Sequence, residues 1–147
     1  MDEFSGLVSL REQGFYCSQI LVYQGLEMLG KSNPDLIRAM HGLAGGLGFS
    51  GELCGALTGG ACLIGLYAGK GTPEQVEDPR LDFMIADLVK WFKLEYGGQY
   101  GGIRCEEILA GNPSNQISRC PVLANGVLQK VKELLVENGY DLAGEQE

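Results

Sequence analysis

Five residues offer redox or metal chemistry: Cys17, Cys54, Cys62, Cys105 and Cys120. Four of them share a local setting. Cys17 follows Gly14-Phe15-Tyr16, Cys54 follows a glycine-rich turn, Cys105 follows Gly101-Gly102, and Cys120 stands before Pro121. Each is expected at the start of a helix, where unpaired backbone N–H groups and the positive end of the dipole make a thiol easier to deprotonate. If the four starts converge in space, the site favours thiolates, which bind soft metals or attack disulfides. The plainer alternative is that cysteine is a small hydrophobe and is commonly buried. There is no CxxC, so neither a thioredoxin-type pair nor a zinc ribbon is signalled, and no CxxCH signals covalent haem. Cys62 lies among Ala61, Leu63 and Ile64 and reads as a structural core residue. On one helix, Cys54 and Cys62 would be roughly 12 Å apart, too far for a disulfide.

The elements that must position these cysteines read as helices. The central one follows Gly45-Gly46-Leu47-Gly48-Phe49-Ser50 and runs from Gly51 to Ala68, with Ser50 as its expected N-cap and Cys54 about one turn inside. Its small residues suit close packing of other backbones. Before it come a short helix bearing Phe4, Leu7, Val8 and Arg11, a helix over 17–29 stopped by Gly30, and a helix opened by Asn33-Pro34. After it, Thr72-Pro73-Glu74-Gln75 has the form of a capping box, and Asp78-Pro79 restarts a helix with Leu81, Met84, Ile85, Leu88 and Phe92 on its apolar stripe. A brief helix over 105–110, a polar loop over 112–119 and a last helix over 121–138 complete the chain, with 140–147 expected to fray. No alternating strand pattern appears. The expectation is an all-α, single-domain bundle of about five to six helices around a Gly/Ala-rich central helix.

Composition narrows the function classes. A chain of 147 residues with net charge −8 and no basic patch argues against nucleic acid and anionic membrane surfaces. The longest apolar run, 53–68, is too short and too glycine-rich for a membrane span. Asp2 and Glu3 replace the basic start of a signal peptide, so a cytoplasmic location is expected, where a structural disulfide framework is out of place. The remaining polar residues carry ordinary readings beside functional ones. His41 suits a helix C-terminus, and Glu106 and Glu107 suit a helix start. Arg104 and Arg119 each precede a cysteine and could stabilise a thiolate or hold an anion. The 45–51 glycine segment superficially resembles a phosphate cradle but lacks GK[ST] and a preceding strand.

Gly14-Phe15-Tyr16-Cys17-Ser18-Gln19 resembles the first cysteine segment of the redox-active protein family named for its cysteine pattern, C_GCAxxG_C_C. Cys54-Gly55-Ala56-Leu57-Thr58-Gly59 matches that family's CGAxxG motif at every fixed position. Tyr96-Gly97 through Arg104-Cys105-Glu106-Glu107-Ile108-Leu109 resembles its third segment, and Arg119-Cys120-Pro121 its fourth. The resemblance spans 14–130 and leaves Cys62 outside the pattern. It implies a small helical protein, redox-active through four cysteines and often encoded near transport functions. The family is also similar to a domain accompanying haem in certain bacterial cytochromes, which adds weight to an iron–sulfur reading.

With the resemblance added, the favoured reading is a redox protein, an oxidoreductase or electron carrier, with Cys17, Cys54, Cys105 and Cys120 as its redox-active residues. In one form the four thiolates ligate a two-iron iron–sulfur cluster and all four sulfurs fall within about 7 Å of a common centre. In the other, pairs cycle between dithiol and disulfide for a redox partner that the sequence does not name. The alternative is a non-enzymatic module: the cysteines hold zinc, or the chain is a sensor or interaction domain whose apolar central helix forms a homodimer face.

Overall fold

Helical periodicity and glycine stops set most element boundaries. The structure is a computed structural model that describes residues 3–144. In chain order it has α1 (Glu3–Glu12), α2 (Cys17–Met28), α3 (Pro34–Met40) with a 3₁₀ turn over His41–Leu43, α4 (Gly55–Ala68), α5 (Leu81–Phe92), α6 (Gly98–Tyr100), α7 (Cys105–Leu109) and α8 (Asn115–Glu137). A π-turn over Lys93–Gly97 joins α5 to α6. Among the described residues there is no strand, only one isolated antiparallel bridge between Leu53 and Arg104. The expected all-α class therefore holds.

The apolar stripes explain the packing. Leu57, Leu63 and Ile64 of α4, Leu88 and Phe92 of α5, and Leu123, Val127, Leu128, Val131 and Leu135 of α8 are fully buried together. Burial of each such side chain contributes about 1.5–3 kcal/mol. Helix α2 crosses α4 at Gly59, where a Cβ would lie 2.9 Å from Ser18 Cα and 3.0 Å from Ser18 O. Ser18 and Gln19 are buried polar residues of α2 with partners on α3: Ser18 Oγ donates to Met40 O (2.9 Å) and Gln19 Nε2 to Ile37 O (3.2 Å). The Asn33 cap is as expected, its side chain accepting from Leu36 N at 3.1 Å.

Three boundaries differ from the sequence reading. Helix α4 begins at Gly55, and Cys54 is its N-cap residue rather than one turn inside; Ser50 caps nothing. The reason is conformational: Gly45, Gly46, Leu47, Gly48, Phe49 and Gly51 all have positive φ, so no right-handed helix can start until the chain has passed them. No helix forms at 72–80. Gln75 Oε1 does accept from Gly71 N and Thr72 N, but Asp78 is held from the opposite side by its own N–H to Ala68 O and by Arg80, and α5 starts only at Leu81. Finally, α8 begins at Asn115, so Pro121 lies inside it and Cys120 does not open a helix. Asn112 starts the turn upstream, accepting from Ser114 N on its side chain and from Asn115 N on its carbonyl. Pro121 then leaves the Ile117 carbonyl without its usual amide.

Of the tail expected to fray, Tyr140 donates from its hydroxyl to Asp78 Oδ2 (2.6 Å) and Tyr67 donates to Leu142 O (2.7 Å). Residues 145–147 lie outside the described residues, as do Met1 and Asp2. Among the described residues no helix is long and apolar enough to cross a membrane.

Candidate functional site

Local folding brings the four patterned cysteines to one small cavity. Cys17 opens α2 beside Tyr16, whose N–H donates to Gln19 Oε1 (3.1 Å) and so caps the first turn. Cys54 and Cys105 are set by paired backbone: Cys54 N donates to Ile103 O (3.1 Å) and Cys105 N to Glu52 O (2.6 Å), flanking the Leu53–Arg104 bridge. Cys120 arrives from within α8. All four, with Tyr16, Ser18, Gly55, Ile108, Leu109 and Gln116, line a cavity of about 20 Å³, room for about one water. Every cysteine is a free thiol.

The thiols are not equivalent. Cys17 S–H donates to Cys120 O at 3.7 Å, across 103 residues of sequence, and the side chains of the two residues act on each other. The neighbouring Cys120 side chain, then burial, holds the Cys17 thiol well above its ordinary range. The Cys17 side chain in turn pulls Cys120 below that range, and the Arg11 charge acts in the same direction against the cost of burial. Burial pushes the Cys54 thiol up to about 12, although the Ala56 and Leu57 amides at the start of α4 favour its anion. Burial also raises Cys105, followed by the charge of Cys120. Helix starts therefore do not lower these thiols as a group. Desolvation outweighs the helix-start amides at Cys54 and leads the rise at Cys105, and the one thiol pulled down is the one inside a helix.

The other candidate residues fall outside this cavity. Cys62 is exposed on α4, not part of the core, because the outer face of that helix has no element over it at that point. Arg104 pairs with Glu52 (3.1 Å) and Glu106 (3.3 Å), and Arg119 donates to Ile108 O (2.5 Å) while lying 5.1 Å from the Tyr100 ring. Neither is among the charges that act on the thiols. Glu107 Oε1 accepts the Arg104 N–H (3.1 Å), an ordinary cap for α7. His41 packs on the Tyr16 ring at 5.3 Å and lines a separate cavity of about 440 Å³ between α2 and α3. The 45–51 segment is no phosphate cradle: the N–H groups of Gly48, Phe49, Gly51 and Glu52 donate to carbonyls of residues 42, 44, 45 and 46. Its glycines permit that winding, since a Cβ at Gly46 would meet Glu52 N and O at 2.4 Å.

The residue that sequence reasoning missed is Arg11. It read only as part of an amphipathic helix, yet its charge acts on both Cys17 and Cys120. The only signal was a cation in the last turn of α1 shortly before Cys17.

The donor set tests the metal readings. Four cysteines share a cavity, but among the described residues no three His, Cys, Asp or Glu side chains are grouped so as to hold a metal ion. A space of about 20 Å³ is also far too small for an iron–sulfur core. As folded, the residues do not fit a cluster or a zinc ion.

No curated protein and no solved structure matches the chain. The family model described as "Putative redox-active protein (C_GCAxxG_C_C)" matches residues 15–134, from the turn before Cys17 to the buried stripe of α8. The chain therefore belongs to the C_GCAxxG_C_C family.

Proposed function

We propose that this protein is a thiol–disulfide redox protein whose exchanging pair is Cys17 and Cys120. The observation that carries this reading is the contact between the two residues: Cys17 Sγ lies 3.7 Å from Cys120 O in a cavity that both line, and their side chains push the two thiols in opposite directions. One sulfur is thereby poised to attack and the other keeps its proton until it is needed. In the forward step the Cys120 thiolate attacks one sulfur of a partner's disulfide, forms a mixed disulfide and expels the partner's other sulfur as thiolate. Cys17, losing its proton to solvent, then attacks Cys120, closes the Cys17–Cys120 disulfide and releases the second partner thiolate. The protein's dithiol loses two electrons and two protons, and the partner's disulfide gains them.

Cys54 and Cys105 face the same cavity in protonated form and serve as a second, slower pair or as apolar walls that limit water. Iron–sulfur ligation by the same four cysteines does not fit the cavity as folded, so no step is routed through it. Peptide mapping after oxidation in a glutathione buffer tests the assignment. A Cys17–Cys120 linkage formed before any other supports it, and first formation of a different linkage overturns it. Anaerobic purification adds a second readout: brown protein with matched iron and sulfide would replace the dithiol form by the cluster form.

A further inference from the structure

One buried polar atom among the described side chains has no hydrogen-bond partner, and it is Arg11 Nη1. Burying a guanidinium N–H without an acceptor is costly, so its presence calls for a state in which an acceptor exists. Arg11 lies in the last turn of α1, which packs on both α2 and α8, the helices that carry Cys17 and Cys120. Its guanidinium is held over the Tyr16 ring, 5.5 Å from the centroid, and Tyr16 adjoins Cys17 and lines the cysteine cavity. The titratable groups around Cys120 are few: Tyr16, Cys17, Cys54 and Cys105 line its cavity, and the Arg11 charge reaches it from α1. Arg119, its neighbour on α8, is committed to Ile108 O and the Tyr100 ring. Arg11 is thus the one cation among groups that are otherwise thiols and a phenol.

We propose that Arg11 is a positioning residue for the Cys17–Cys120 pair, its unpartnered Nη1 donating to the anionic sulfur that Cys120 presents when the pair reacts. This rests on the thiol-exchange reading above. In the oxidising direction Arg11 stabilises the Cys120 thiolate before attack. In the reducing direction it stabilises the same sulfur as the leaving group when the Cys17–Cys120 disulfide is opened by an incoming thiol. The aromatic face of Tyr16 fixes the guanidinium without neutralising it.

The experiment measures alkylation of the fully reduced full-length chain by iodoacetamide across pH, with the Cys120 peptide followed by mass spectrometry. Arg11→Met is expected to raise the Cys120 midpoint by about one pH unit, which leaves about tenfold less thiolate at neutral pH. Arg11→Lys, which keeps the charge, should stay within about 0.3 units of the parent. Arg11→Gln provides the same reading should the Met variant fail to fold. An unshifted Arg11→Met profile in a folded protein overturns the proposal. So does a parent midpoint at or above that of free cysteine, ~8.5. The two readings fail separately. An unshifted profile with a normal Cys17–Cys120 disulfide removes only Arg11, whereas absence of that disulfide removes the exchange reading while the effect on reduced Cys120 still registers.

Discussion

Gly59, the last glycine of the CGAxxG motif, should be a position in α4 where one methyl group is poorly tolerated. Its Cβ in an Ala variant would lie 2.9 Å from Ser18 Cα, 3.0 Å from Ser18 O and 3.1 Å from Leu21 Cβ. Two of those atoms are α2 backbone, so no rotamer change relieves the contact and α2 must move away from α4. Overpacking of this kind costs about 1–3 kcal/mol, while Ala recovers about 1 kcal/mol of helix propensity over Gly. Gly59→Ala is therefore expected to destabilise by up to about 2 kcal/mol. Gly65 on the same helix is the control, because its Cβ would meet nothing within 4 Å. Gly65→Ala should gain about 0.8–1 kcal/mol. Urea unfolding of the reduced proteins, followed by circular dichroism, measures both, with an unchanged slope showing that stability alone moved. The displacement also carries Cys17, next to Ser18, away from Cys120, so Gly59→Ala should form the Cys17–Cys120 disulfide less readily. A Gly59→Ala protein as stable as Gly65→Ala would refute the close-approach reasoning.

Cys54 links stability to alkaline pH. Its thiol is raised from the ordinary 9.0 to about 12, so the folded state favours the protonated form. The contribution is complete below pH 9 and is lost as pH rises toward 12, a difference of up to about 4 kcal/mol relative to Cys54→Ala in unfolding free energy measured across that range. Ser18→Ala removes the buried bond to Met40 O and strands that carbonyl, so denaturation should show a loss of about 1–3 kcal/mol. Cys62→Ser, at an exposed site away from the cavity, should leave both the disulfide map and the unfolding midpoint unchanged. Pro121→Ala restores an amide for the Ile117 carbonyl and should raise the thermal midpoint, by up to about 3 kcal/mol of stability.

Much of the fold was legible because it is written locally. Asn33-Pro34 caps α3 as expected, and the spacing of Leu123, Val127, Val131 and Leu135 marks the buried face of α8. The errors came where local signals were overruled. Pro121 looked like a helix start, but the Asn112 turn begins α8 earlier and the helix absorbs the proline. Gly51 looked like helix, yet the left-handed run before it postpones α4 to Gly55. The cysteine motif revealed which thiols assemble but not their protonation. Dipole arguments treat each helix start alone, whereas the decisive effects are burial and a bond between residues 103 apart in sequence. Arg11 was hidden for the same reason: its role comes from packing α1 on α8, a contact that no sequence spacing encodes.

The central claim meets its most direct test in a redox titration of the full-length chain against glutathione, with the Cys17–Cys120 linkage quantified by peptide mass spectrometry. The exchange reading predicts one two-electron transition in that linkage, about 30 mV per tenfold change in ratio, abolished by Cys120→Ser. Titration that leaves Cys17 and Cys120 as free thiols while another pair oxidises, or while no pair does, would contradict it.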